Sequence, residues 1–461
     1  YEKRYFASAS ERRSDTLRLC GQEIPFGENI LFQNTATQLT VGVEIGEDLR
    51  MMIPPSSRHA LFGANLILNL SAGNETVTKS DRRRELIRQQ SARCLTGYVF
   101  SSAGQGESTT DAVFSGHAMI AAEGVVDIES SWTEESSYIC ADIDIEKLMH
   151  DRRKFNGFMD TAEPDDYRVA AFTLQAGRDV KERFTVDPHP FIPSDSAEKS
   201  SRCKEIFKLQ STGLAERMRK TGIKKAVIGL SGGLDSTLAL LVTAEAVKAL
   251  RLPMTSIVGI TMPGFGTTDR TYRNALTLMR ELGVTKKEIP IKEACLQHFR
   301  DIGHPSDVYN VTFENVQARE RTQILMDVAN QEGGLVVGTG DLSELALGWC
   351  TYNGDHMSHY GVNGGVPKSL VKHLVSWYAD TTENKKVAAA LQDILDTPIS
   401  PELLPADEEG RIAQKTEDTV GPYELHDFFL FHFLRNGFSP AKILKLATIA
   451  FSDIYHPKMI C

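Results

Sequence analysis

No run in this 461-residue chain is apolar for long enough to cross a bilayer as a helix, and no charged-then-apolar leader opens it. The seven cysteines (Cys20, Cys94, Cys140, Cys203, Cys295, Cys350 and Cys461) form no CxxC pair and no Cys/His cluster. That pattern excludes a disulfide framework and a sequence-encoded zinc site, and fits free thiols in a reducing, cytoplasmic setting. Positive charge is also short: the net charge is -10. Bulk nucleic-acid binding and an anionic-membrane anchor are therefore not expected as partners, and any nucleotide should be small and locally gripped. Internal repeats and low-complexity tracts are lacking. What remains, 41% hydrophobic and 24% charged residues, is the composition of a globular protein with room for two or three domains. The chain begins at Tyr1 without a methionine and stops abruptly at Cys461, so both ends read as cut.

The two halves differ in pattern. Residues 1–150 carry β-type segments, Leu39–Ile45, Ala64–Leu70, Thr96–Ser101 and Met119–Asp127. The basic stretch Ser80–Ser101, with Arg82, Arg83, Arg84, Arg88 and Arg93, reads as a helix with a solvated charged face. Residues 151–200, with Pro188, Pro190 and Pro193, read as an interdomain linker. From residue 201 to 461, strands and helices alternate: strands at Lys225–Leu230, Ser256–Met262, Glu288–Ile291 and Gly334–Gly338, helices at Asp235–Leu250, Thr271–Leu282 and Phe313–Asn330. Such alternation predicts an α/β fold with a doubly wound parallel sheet, and chemistry in the loops at the carboxyl ends of its strands.

One of those loops has a sharp signature: Gly229-Leu230-Ser231-Gly232-Gly233-Leu234-Asp235-Ser236, between an apolar strand and a helix. Its glycines allow a tight turn and close backbone approach to an anion, and the free N–H groups of the following helix favour phosphate. Ser231 and Ser236 add hydroxyls. Asp235 would repel phosphate, so its natural partner is a magnesium ion bridging to it. No lysine follows the glycines, which excludes the Walker A loop. Simple capping by Asp235 or Ser236 explains less of the string.

Three further segments carry possible ligands. Thr261–Asp269 is a Gly-rich turn that could place adenine near Met262, or be only a strand-to-helix turn. The helix from Val311 has a polar stripe of Asn315, Arg319 and Thr322 or Gln323, either facing an anionic substrate or simply solvated. Gly338–Trp349 offers Thr339 as an ATP contact, Glu344 as a second magnesium carboxylate and Trp349 as a stacking surface. Asp341 and Glu344 also stand at capping-box spacing, so Glu344 stays open between the two roles.

The loop resembles that of the ATP pyrophosphatases. Together with Val311–Gln317, Gly338–Trp349 and Asp355-His356-Met357-Ser358-His359-Tyr360-Gly361-Val362-Asn363-Gly364-Gly365-Val366-Pro367-Lys368, it resembles the NAD synthetase family in its long, glutamine-dependent form. The resemblance implies ATP at Gly229–Ser236, Met262 and Thr339, Mg²⁺ on Asp235 and Glu344, and deamido-NAD against Asn315, Arg319, Glu320, Arg321, Thr322, Gln323, Glu344 and Trp349. It implies amidation by ammonia or glutamine, and a homo-oligomer. His356 and His359 are taken as structural. A degenerate chain that binds nucleotide without catalysis is the alternative.

Residues 1–150 resemble part of a nitrilase-type carbon–nitrogen hydrolase, an α/β sandwich serving as glutaminase, through Tyr1–Phe6, Gly42–Leu49, Ile53–Ser56 and Gly106–Asp111. That family uses a Glu–Lys–Cys triad. Here the nucleophile position is Gly46, and the resemblance puts the triad's Glu and Lys before Tyr1. Gly73 stands at an expected pocket serine, while Lys79 fits the basic position. The implied C-terminal segment that closes over deamido-NAD would lie beyond Cys461. The expectation is a chain fed by free ammonia.

Overall fold

The computed structural model describes residues 5–460 apart from 105, 108–111, 133–136, 159, 161–165, 175–184, 194, 399, 401–402 and 406–415. The motif residues Tyr1–Arg4, Ser108–Asp111 and Cys461 therefore lie outside the described residues. No described helix is long and apolar enough to cross a membrane. The chain divides into two compact units, Tyr1–Thr185 with Asn436–Ser439, and Val186–Arg435 with Pro440–Cys461.

In the first unit, strands β1 (Thr16–Leu19) and β2 (Gln22–Pro25) form a small antiparallel pair. Seven others, β3 (Ile30–Asn34), β4 (Thr40–Ile45), β5 (Leu66–Ser71), β6 (Gly97–Ser102), β7 (Ala118–Ala122), β8 (Val125–Ser130) and β9 (Arg168–Phe172), make one mixed sheet in the order β8-β7-β6-β5-β4-β3-β9. Helices α1 (Pro55–Leu61), α2 (Lys79–Cys94) and α3 (Ile145–Lys154) accompany it. Leu31, Ile67, Ile87, Tyr98 and Met119 form its core.

Three expectations need correction here. Met119–Asp127 is not one strand but the hairpin β7–β8, because Glu123 (φ 52°) and Gly124 (φ 82°) both adopt the left-handed backbone of a two-residue turn. The basic helix stops at Cys94, where Leu95 turns left-handed (φ 48°), and its face is not wholly solvated: Arg83 is buried, paired with Glu75 and in contact with His117. Within the stretch expected as linker, β9 pairs in parallel with β3 and belongs to the sheet.

The second unit opens with α4 (Ser196–Thr221) and continues β10 (Ala226–Gly229), α5 (Leu234–Ala249), β11 (Ile257–Thr261), α6 (Asp269–Leu282), β12 (Thr285–Glu288), α7 (Lys292–Ile302), α8 (Val311–Glu332), β13 (Leu335–Gly338), α9 (Leu342–Leu347) and β14 (Tyr360–Gly361). Helices α10 (Lys368–Thr381), α11 (Lys385–Leu395), α12 (Thr416–Val420), α13 (Tyr423–Leu434), α14 (Pro440–Ala450) and α15 (Pro457–Ile460) follow. The sheet is wholly parallel, in the order β12-β11-β10-β13-β14.

Side chains alternate across this sheet. Ala226 and Ile228 of β10, with Leu335 and Val337 of β13, face a core shared with Leu238, Leu241, Leu374 and Val375. Val227, Val258, Ile260 and Val336 face the opposite core, with Phe299, Phe313 and Val316. A strand buried on both faces must be continuously apolar, which is why β10, β11 and β13 carry almost no polar side chains. Helix α5 is apolar nearly all round for the same reason: Leu238, Leu240, Leu241, Val242 and Val247 are fully buried. Each such side chain contributes about 1.5–3 kcal/mol. The expected strand Glu288–Ile291 sits earlier, at Thr285–Glu288. It is a charged edge strand, Thr-Lys-Lys-Glu, whose lysines protect an open edge rather than fill a core.

Candidate functional site

The parallel sheet reverses its winding between β10 and β13: β11 and β12 lie on one side of β10, β13 and β14 on the other. In such sheets the crevice for a ligand opens beyond the carboxyl ends of the two strands at the reversal. Here those ends are Gly229, which leads into the glycine loop, and Gly338, which leads into Thr339-Gly340-Asp341. A cavity of about 280 Å³ lies there, lined by Gly229–Ser231, Gly233–Ser236, Met262, Thr339, Glu344, Trp349 and Lys368 among others.

The loop is held in shape before any ligand arrives. Leu230 donates its N–H to the Ile260 carbonyl (2.8 Å). Gly233 N–H donates to Ser231 Oγ (3.2 Å), and Ser236 Oγ donates to the Gly233 carbonyl (3.1 Å). Gly232 is left-handed (φ 86°), and a Cβ there would stand 2.1 Å from the Thr271 carbonyl oxygen, so no other residue fits. Gly233 caps α5 without a side chain, which leaves the first N–H groups of a 16-residue helix for an anion.

Behind the loop, Asp235, Asp341 and Glu344 bring carboxylate oxygens within 4.8 Å of one another. Lys368 Nζ, almost fully buried, stands among them at 2.8 Å from Asp235 Oδ2, 2.6 Å from Asp341 Oδ2 and 2.8 Å from Glu344 Oε1. Burial works against the ammonium, but the three acids override it and hold Lys368 well above its ordinary pKa. The acids are pushed up: Asp341 to about 8 and Glu344 to about 7, each first by burial and then by Asp235. Fully ionised, the three carboxylates would outnumber the one ammonium by two charges, and the raised pKa values of Asp341 and Glu344 reflect that excess. Asp235 Oδ1 is buried with no hydrogen-bond partner among the described residues. An all-oxygen donor set with an orphaned carboxylate oxygen fits a hard divalent cation such as Mg²⁺.

The choice left open at Glu344 resolves into a division of labour. Asp341 does cap α9, accepting from Glu344 N–H (2.8 Å), while the Glu344 carboxylate turns to Lys368 instead of back to the cap. Of the residues expected on α8, Arg321 and Thr322 line the cavity, with Ala318 and Leu325 beside them at i, i+3, i+4 and i+7. Asn315 instead accepts from Thr351 Oγ1 (2.8 Å) and Arg319 donates to the Tyr352 carbonyl (3.1 Å), so both fasten the turn after α9. Glu320 and Gln323 are not among the lining residues. His359 Nδ1 accepts from Val336 N–H (2.9 Å), and His356 Nδ1 bonds the Thr351 carbonyl (2.9 Å).

A family model described as NAD synthase matches residues 206–453. The chain is 43% identical to the glutamine-dependent NAD(+) synthetases of Mycobacterium tuberculosis strain H37Rv and Mycobacterium leprae, over 98% of its own length and 68% of theirs. To the glutamine-dependent NAD(+) synthetase of Thermotoga maritima it is 30% identical, over 90% of this chain and 68% of that one. The chain belongs to the glutamine-dependent NAD(+) synthetase family. Two residues in its synthetase site carried no role in the sequence reading. Lys368 stood at the end of a quoted motif, and Asn363, fully buried, joins the two strand-end loops by donating to the carbonyls of Asp235 and Thr339 (both 3.0 Å). A lysine and an asparagine flanking a Gly-Gly turn were the available signal, but nothing local pointed them inward.

In the first unit, Gly46 ends β4 in the left-handed region (φ 51°). Asn69 grips its backbone on both sides: Gly46 N–H donates to Asn69 Oδ1 (3.0 Å), and Asn69 Nδ2 donates to the Gly46 carbonyl (3.3 Å). A Cβ at position 46 would meet Ser71, whose Oγ, Cα and Cβ stand at 3.5, 3.8 and 3.9 Å. Lys79 Nζ lies 3.5 Å from Glu47 and close to Gly73. The turn at Gly46 is thus held by its neighbours and carries no side chain of its own.

Proposed function

We propose that this chain adenylates the nicotinate carboxylate of deamido-NAD with ATP, and that free ammonia converts the adenylate to NAD. The observation that carries this reading is the meeting of the phosphate loop with the Asp235–Asp341–Glu344–Lys368 cluster at the winding reversal. A carboxylate oxygen attacks the α-phosphorus, the bond to the bridging oxygen of the β-phosphate breaks, and pyrophosphate leaves with the electron pair. Ser231, Ser236 and the N–H groups at the start of α5 are placed to receive it. Ammonia then attacks the carbonyl carbon, AMP departs with the carbon–oxygen pair, and a proton passes to solvent. Met262 supports adenine, Thr339 the nucleotide, and Arg321, Thr322 and Trp349 the second substrate. Asp235, Asp341 and Glu344 would hold Mg²⁺, which when bound neutralises the triphosphate. The protein's own share is alignment and exclusion of water from the adenylate.

With no side chain at Gly46, that position offers no nucleophile to glutamine, so in this reading ammonium is the nitrogen source. In the same reading the enzyme is a cytoplasmic homo-oligomer, which light scattering tests. Supplying ATP, Mg²⁺ and deamido-NAD with ammonium or glutamine, and following NAD and AMP, tests the chemistry. NAD from ammonium is expected. Absence of AMP in both reactions overturns the function, and a glutamine rate matching the ammonium rate overturns the reading of Gly46.

A further inference from the structure

The acid cluster is backed by a fourth carboxylate, which bonds to neighbours of the proposed ligands and not to the ligands. Asp427, on α13, is 2% exposed. Its Oδ1 accepts from Ser343 Oγ, and its Oδ2 accepts from Ser369 N–H (2.8 Å). Ser343 Oγ in turn accepts from Lys368 N–H (2.9 Å). Ser343 gives its one hydroxyl proton to the Asp427 carboxylate, which has only acceptors to offer, and uses a lone pair for Lys368 N–H.

Ser343 precedes Glu344, and Lys368 precedes Ser369. One carboxylate thus fastens the backbone of α9 beside Glu344 to the first turn of α10 beside Lys368. Those two side chains meet at 2.8 Å. An anion at the start of α10 is also favoured by the free N–H groups there. One turn earlier on α13, Tyr423 lays its ring 5.3 Å from Lys368 Nζ. Leucine would fill the same space with no desolvation cost. A buried carboxylate here serves geometry.

We propose that Asp427 is a positioning residue of the adenylating site, setting the separation of Glu344 from Lys368 and hence the affinity of the cluster for a divalent cation. The inference rests on the synthetase reading of that cluster, but its test does not need turnover. Mn²⁺ binding to the nucleotide-free protein is titrated by EPR in the wild type, Asp427→Asn, Ser343→Ala and a core control, Leu391→Ala. In Asp427→Asn, with Oδ1 kept on Ser369 N–H, the amide N–H₂ faces the Ser343 hydroxyl, which can accept it only by turning its own proton out of the ring, so the Ser343-to-carboxylate bond is lost. Half-saturating Mn²⁺ should rise up to about 10-fold, the low end of the effect of removing a ligand's direct hydrogen-bond partner, because Asp427 acts on the ligands only through Ser343 and Ser369. Ser343→Ala should move in the same direction, whereas Leu391→Ala should lower the melting temperature with Mn²⁺ binding unchanged. An Asp427→Asn protein that melts earlier but binds Mn²⁺ like the wild type overturns the proposal. If that variant does not fold, unchanged binding in Ser343→Ala overturns it. A wild type that binds Mn²⁺ but forms no AMP refutes the function and leaves this inference standing.

Discussion

Lys368→Met gives the sharpest perturbation of the site, because methionine keeps most of the stem and deletes the charge. The ammonium is 2% exposed and touches three carboxylates, at 2.8, 2.6 and 2.8 Å. Removing one member of a buried ion cluster costs about 3–5 kcal/mol, since the remaining charges keep their desolvation penalty without compensation. At roughly 2–4 °C per kcal/mol for a unit of this size, the second unit should melt about 6–20 °C earlier in EDTA. Proton uptake softens the loss, because Asp341 and Glu344 already have raised pKa values, about 8 and about 7. A divalent cation should reverse it more strongly. At a concentration near a hundred times Kd, the bound ion returns about 2.7 kcal/mol. The assay is thermal unfolding of wild type and variant in EDTA and in a MgCl₂ series. Mg²⁺ should raise the variant's midpoint more than the wild type's, since the ion no longer competes with a tethered ammonium. Equal midpoints in EDTA, or equal Mg²⁺ stabilisation of both proteins, would refute the argument.

Other substitutions test the surrounding framework. Gly232→Ala forces a methyl to 2.1 Å from the Thr271 carbonyl oxygen at φ 86°, so a fluorescent ATP analogue should lose binding; the left-handed strain alone costs about 1–2 kcal/mol. Gly365→Ala, where a methyl meets nothing within 4 Å, should bind the analogue normally. Asn363→Ala removes the two side-chain bonds that tie Asp235 to Thr339, so urea unfolding should show about 1–3 kcal/mol lost and the KM for ATP should rise. In the first unit, His117 accepts at Nδ1 from Arg83 and donates from Nε2 to Glu129, and burial first, then Arg83, lowers its pKa below the ordinary 6.5. A folded pKa below the unfolded one means stability is full above pH 6.5 and is lost as pH falls through the folded value. Thermal melts should therefore decline between pH 7 and 5, and His117→Gln should flatten that slope; an unchanged slope would count against it. His59 and His373 are shifted the same way and contribute to any remainder.

Much of the second unit was readable because its signals are local. A buried parallel strand must be apolar throughout, so Ala226–Gly229 and Ile257–Thr261 stand out in any window. The loop Gly229–Ser236 declares its chemistry within eight consecutive residues. Less was readable where neighbours decide. Thr285–Glu288 carries no apolar run because it is an edge, so its boundary fell three residues late. The β7–β8 turn hid behind a glutamate in left-handed backbone, a conformation that residue type rarely adopts. On α8, Arg321 and Thr322 of the expected stretch line the cavity while Asn315 and Arg319 hold the turn after α9: helical spacing says which residues share a face, not which face meets the cavity.

The sequence by itself determined the phosphate loop, the α/β alternation and the identity of Asp235 and Glu344 as acids worth watching, because each rests on bonds and periods spanning a few residues. Only the tertiary structure joined Asp235 to Lys368 across 133 positions, Ser343 to Asp427 across 84, and Asn363 to two loops at once. Those pairings depend on how the sheet reverses its winding and where α10 and α13 come to rest. Burial then turns ordinary acids and a lysine into a cluster whose charge has to be balanced. Gly46 belongs to both accounts: the sequence shows a residue without a side chain, and the fold shows its backbone held on both sides by Asn69.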